Sequence, residues 1–134
     1  MTWLAALFLL AHALIHASYL SPRPPATAGG PAWPFELTRS WILSPLGLDG
    51  DPGRILGIAL IAIIIVAFGL AALATFGVAA QATFAPAIVA GSIASIALLV
   101  LFFHPWLVLG IAIDVALLWA VLVARWTPQG GFPG

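Results

Sequence analysis

The chain has 134 residues, 63% of them hydrophobic and 6% charged, with a formal net charge of zero and a mean hydropathy of +1.19. A soluble domain carries about 25% charged residues, so a chain this apolar cannot present a wettable surface, and the bilayer is its expected solvent. The absence of Cys excludes disulfides, thiolate metal sites and thiol redox chemistry, and four Arg with no Lys exclude the clustered cations that nucleic-acid binding needs.

A membrane span takes about 20 apolar residues. The expected architecture is all-α: a single four-transmembrane-helix domain over 1–134, up-down, with a long Pro/Gly-rich loop between helices one and two. The first span is expected at about 2–20. It lacks a basic leader and carries His12 and His16 late in its apolar run, which is unlike a cleaved signal peptide.

The loop at 21–54 holds Pro22, Pro24, Pro25, Pro31, Pro34, Pro45 and Gly29-Gly30, so its first half reads as irregular. Its second half, Trp33 to Leu48, mixes aromatic and aliphatic residues with Glu36, Arg39 and Ser40. Two forms suit it: a short amphipathic segment on the membrane surface, or a plain loop with a few buried aromatics. Glu36, Arg39 and Trp41 are its candidate site residues.

The second span is expected at 55–76 and the third at 81–103, with Pro86 in the third's first turn or kinking it. The fourth follows at 105–124, after a tight His104-Pro105 turn. Small residues at Gly53-x3-Gly57 and Gly91-x3-Ser95 suit close approach of helix backbones. Ser92 and Ser95 read as packing residues, and Trp119 as core or lipid-facing.

Four spans place both termini on one side, here called side A, and the long loop on side B. Trp3 and Trp126 then fall at side A and Tyr19 and Trp106 at side B, levels that Trp and Tyr favour. Arg23, Arg39 and Arg54 lie on side B against Arg125 on side A, too thin a margin to orient the chain.

Of the eight charged residues only Asp114 lies inside a span, where a carboxylate costs several kcal/mol unless paired, protonated or hydrated. Counting at 1.5 Å per residue puts Asp114 and His12 each about 12 Å below side B, and His16 about 6 Å. His12 and His16, spaced i and i+4, share one helix face. Gly110, one turn above Asp114, would leave room beside it for a partner or ligand.

His12, His16, Asp114 and His104 are therefore the candidate site, with no catalytic role assigned. A proton path suits them, because His titrates near neutrality and a buried Asp can be tuned. A pocket for an amphiphile such as a quinone or a lipid also suits them. So does metal binding through His12 and His16, with haem a poorer fit because His104 sits at the membrane edge. The plain alternative is structural: His12 bonds Asp114 to pin two helices, and His104 caps its turn.

The leading expectation is a small membrane protein that binds an amphiphile or couples protons or electrons at this cluster. The rivals are a non-catalytic accessory subunit of a larger membrane complex and a small oligomeric transporter. Expected partners are membrane lipid and either further copies of the chain or that complex. The Arg-only, Ala-rich usage suggests a bacterial inner membrane as the location.

Overall fold

The computed structural model of the protein describes residues 2–22, 25, 28–30 and 33–130. Arg23, Pro24 and Pro31, read above as loop residues, lie outside the described residues. The described chain is all-helical, with α1 at Thr2–Ala17, α2 at Asp51–Thr75, α3 at Phe84–Leu101 and α4 at Val108–Leu122. With their flanking 3-10 turns, four segments are long and apolar enough to cross a membrane: Thr2–Leu20, Asp51–Thr75, Gln81–Leu101 and Pro105–Leu122.

The helices alternate in direction. Trp3 at the start of α1 meets Phe76 at the end of α2, ring centroids 5.0 Å apart, and Phe84 at the start of α3 meets Trp126 beyond α4 at 5.7 Å. Consecutive helices pack on one another, α1 on α2, α2 on α3 and α3 on α4. Ile61, Ile64, Phe68, Ile88 and Leu98 form the fully buried centre, so the core belongs to α2 and α3. α4 buries only Asp114 and Val121.

Helix ends follow the local chemistry. Gly77, at φ +74°, ends α2: the Val78 N–H donates to Leu73 O at 2.9 Å and the Gly77 N–H to Ala74 O at 3.1 Å. That pair of bonds needs a left-handed residue, which glycine adopts without a Cβ penalty. α2 starts at Asp51, four residues before the expected 55. Pro52 fits its first turn and Asp51 suits the positive helix end; a hydropathy reading trims such a polar turn. Pro86 lies in the first turn of α3, where it removes no helical bond.

The segment from Trp33 to Leu48 is not an α-helix lying on a surface. It is a folded loop with one 3-10 turn, Ser44–Leu46, and it folds back onto the bundle. Leu37, Ser40 and Leu43 are buried. The Trp41 indole N–H donates to Val100 O at 2.7 Å, and the Ser40 hydroxyl donates to Leu101 O. These bonds take up carbonyls that the last turn of α3 cannot satisfy itself, which holds the loop over the side B end.

The small residues of α2 serve this docking. A Cβ on Gly57 would lie 2.6 Å from Leu37 Cδ2, and one on Gly53 would lie 2.9 Å from Leu48 O. So Gly53-x3-Gly57 accommodates the loop rather than another helix backbone. Gly91 of α3 faces the Phe68 ring, with ring carbons 3.1–3.2 Å from a would-be Cβ.

Candidate functional site

α1 presents His12 and His16 one turn apart, α4 presents Asp114, and α3 presents Ser95 between them. All four are buried, Asp114 and Ser95 completely. His12 Nε2 lies 2.9 Å from Asp114 Oδ1. The other carboxyl oxygen, Oδ2, is hydrogen-bonded to the Ser95 hydroxyl. Ser95 Oγ is in turn 2.8 Å from His16 Nε2, and the His16 Nδ1–H donates to His12 O at 2.9 Å. The result is an unbroken chain, His12–Asp114–Ser95–His16, joining three helices.

The bond count constrains the protons. The three side-chain bonds need three protons. In one arrangement His16 Nε2–H donates to Ser95, Ser95 donates to an Asp114 carboxylate, and His12 Nε2–H donates to the other oxygen. In a second, Asp114 is protonated on Oδ2 and donates to Ser95, while Ser95 donates to a neutral His16. Both hold the same number of protons and are neutral overall. They interconvert when one proton passes from Asp114 to Ser95 and another from Ser95 to His16.

Apolar groups frame the chain. The Phe8 ring stacks on His12 at 6.1 Å and 4°, and Phe68 meets it edge-on at 5.1 Å. Toward side A lies a cavity of about 60 Å³ lined by apolar side chains, among them Phe8, Leu9, Ile88, Leu117 and Val121. Leu9 is three residues from His12, and Leu117 three from Asp114, so the cavity sits one turn below the pair in the same seam. Its lining offers almost no polar group to hold a water. Gly110 opens no room beside Asp114, because Leu99 Cδ1 would lie 2.9 Å from a Cβ there.

Nitrogen and oxygen atoms of His12, His16 and Asp114 lie within 4.8 Å of one another and could hold a metal ion. An ion would need them all about 2.0–2.2 Å from one point. It would have to replace both the His12–Asp114 bond and the bonds through Ser95.

The remaining sequence candidates stand apart from this chain. His104 caps the turn before α4, its Nδ1 accepting the Trp106 N–H at 3.2 Å, as the structural alternative expected. Glu36 accepts from both the Thr38 N–H at 3.1 Å and the Thr38 hydroxyl at 2.6 Å. Arg39 is exposed, and Trp41 anchors the loop. Trp119 is exposed on α4.

Ser95 is the site residue that sequence reasoning missed. Its signal was present: it stands eight residues before Phe103, hence about 12 Å below side B, level with His12 and Asp114. No protein-family model, curated protein or solved structure matches the chain.

Proposed function

We propose that the chain is an integral membrane protein, in a bacterial cytoplasmic membrane, whose His12–Asp114–Ser95–His16 network holds a proton that moves between Asp114 and His16 within the bilayer. One observation carries the reading: four buried polar groups from three helices share a proton set that can be redistributed while every hydrogen-bonded contact between them is kept. An intramembrane acid held among histidines is costly unless it works or is paired, and here the pairing itself offers two proton arrangements. The apolar lining of the cavity toward side A offers no path of polar groups, which favours side B as the exchanging face.

This reading is favoured over a bound amphiphile at the same residues. Ligand pockets run to about 300–1,000 Å³, and the cavity of about 60 Å³ beside the network is far smaller.

The test is nitrogen-15 magnetic resonance of histidine in lipid bilayers at one pH across a temperature series. Three histidines give three resolvable rings, assigned by single His→Gln variants. The His16 Nε2 resonance should move between its protonated and neutral positions with temperature while His12 keeps its Nε2–H, and Ser95→Ala should leave His16 in one form. A His16 ring fixed in one form in the wild-type chain, or one that Ser95→Ala leaves unchanged, would overturn the relay.

A further inference from the structure

The four groups of the network are also a set of metal donors. His12 and His16 stand at i and i+4, the spacing at which one helix offers two imidazoles to one ion. α4 adds the Asp114 carboxylate, and α3 adds the Ser95 hydroxyl. Donor atoms of His12, His16 and Asp114 lie within 4.8 Å of one another, and all three residues are buried.

The distances suit an ion of the first transition row. Tetrahedral bonds of about 2.0–2.2 Å hold neighbouring donors about 3.4 Å apart. The separations fall on both sides of that value. His12 Nε2 is 2.9 Å from Asp114 Oδ1, Ser95 Oγ is 2.8 Å from His16 Nε2, and no two of the three ligand atoms are more than 4.8 Å apart. Side-chain movements of about 1 Å or less close the set around one point.

The surroundings fit as well. The His16 Nδ1–H donates to His12 O at 2.9 Å, so its Nε2 is the nitrogen left to face an ion, and ligating histidines are held by such a second partner. Phe8 stacks on the His12 ring and Phe68 meets it edge-on, a close apolar shell. Two imidazoles and one carboxylate suit zinc or iron(II). Magnesium and calcium want oxygen throughout, and soft ions want the thiolate that this chain lacks.

We propose that His12, His16 and Asp114, with Ser95 as a fourth donor, bind one divalent transition-metal ion of the zinc and iron(II) class. The ion takes the place of protons. His12 carries its proton on Nδ1, and the site releases two others: the one shared by Asp114 and His16, and that of the Ser95 hydroxyl. A neutral proton set then becomes a neutral metal set, as the bilayer interior favours. Binding rests on the donor geometry alone. Its consequence, that a loaded network no longer moves a proton, rests on the relay reading.

The probe is cobalt(II), which shows visible absorption bands when four-coordinate. It is supplied in the growth medium and, separately, to the purified chain in nanodiscs, so that slow entry to a buried site does not hide binding. One cobalt per chain is expected, with four-coordinate bands that zinc bleaches. His104→Gln should leave them unchanged, because His104 caps its own turn. Ser95→Ala should weaken binding by about tenfold to a hundredfold, and Asp114→Asn should abolish the bands. In the wild-type chain zinc should shift the nitrogen-15 resonances of both His12 and His16, which reads the site without any substitution.

A chain that takes up no cobalt by either route, with both histidine resonances unmoved by zinc, overturns the proposal and leaves the relay intact. Bands that His104→Gln removes, or that survive Asp114→Asn, overturn it too. A His16 ring already fixed in one form before metal is added contradicts the relay, while the metal response still decides the site.

Discussion

Two serines of α3, three residues apart, separate bonding from packing. Ser92 and Ser95 are both fully buried, but Ser95 bonds Asp114 and His16 while the Ser92 hydroxyl has no partner among the described residues. Ser95→Ala should lower stability by about 1–3 kcal/mol, because it strands an acceptor on Asp114 and a ring nitrogen on His16. Ser92→Ala should be neutral or stabilising, since it removes a desolvated hydroxyl that has no bond to lose. Reversible unfolding of both variants in mixed micelles checks the contrast, and equal losses would contradict it. The sequence shows why only part of this was legible. An acid in an apolar span draws attention by its cost, and counting residues puts His12 at its depth. A serine in the same span is cheap, so the one at the right depth looked like the one beside it.

Helix contacts extend the site beyond its polar groups. The Phe68 ring of α2 lies between Gly91 of α3 and His12 of α1, touching the first face-on and the second edge-on. Gly91→Ala would place a methyl carbon 3.1 Å from a ring that is completely buried, and overpacking of this kind costs about 1–3 kcal/mol. It should also shift the His12 ring resonances, although residue 91 bears no polar group. Adding Phe68→Leu should restore part of both losses. A His12 signal unaffected by Gly91→Ala would show that Phe68 absorbs the change alone.

The loop was less legible than the helices for a related reason. Trp41 and Leu37 read as an amphipathic pattern, but their places are set by α3 carbonyls and by the cleft over Gly57, tertiary features that no local periodicity announces. The helices themselves were readable because each needs only its own run of apolar residues.

At the scale of the molecule, four candidate spans put the turn near Val78 and the segment around Gln129 at one end, and Asp49 and Phe103 at the other. The chain contains no cysteine, so single cysteines at these four exposed positions report membrane side without background. An impermeant maleimide applied to sealed vesicles should label positions 78 and 129 from one side and 49 and 103 from the other. Labelling of all four from one side would contradict a four-span bundle. In such a bundle the apolar cavity of the α1, α3 and α4 seam lies between the network and side A, and the proposed relay would exchange protons at the end beneath the folded loop.

The central claim, that a proton moves through Asp114, is open to one spectroscopic measurement. Asp114 is the only carboxyl group in the interior of a candidate span, Asp51 standing at the first position of another, so infrared difference spectra between cold and warm bilayer samples isolate its protonated carbonyl band from those of Glu36, Asp49 and Asp51 by their differing hydrogen–deuterium exchange. The relay predicts a slowly exchanging carboxyl band that grows as the protonated form of the His16 ring falls with temperature, is abolished by Asp114→Asn, and is shifted by Ser95→Ala. A buried carboxyl band that stays constant across the temperature series, with the His16 ring unchanged, would make the network a fixed pin between helices and contradict the account.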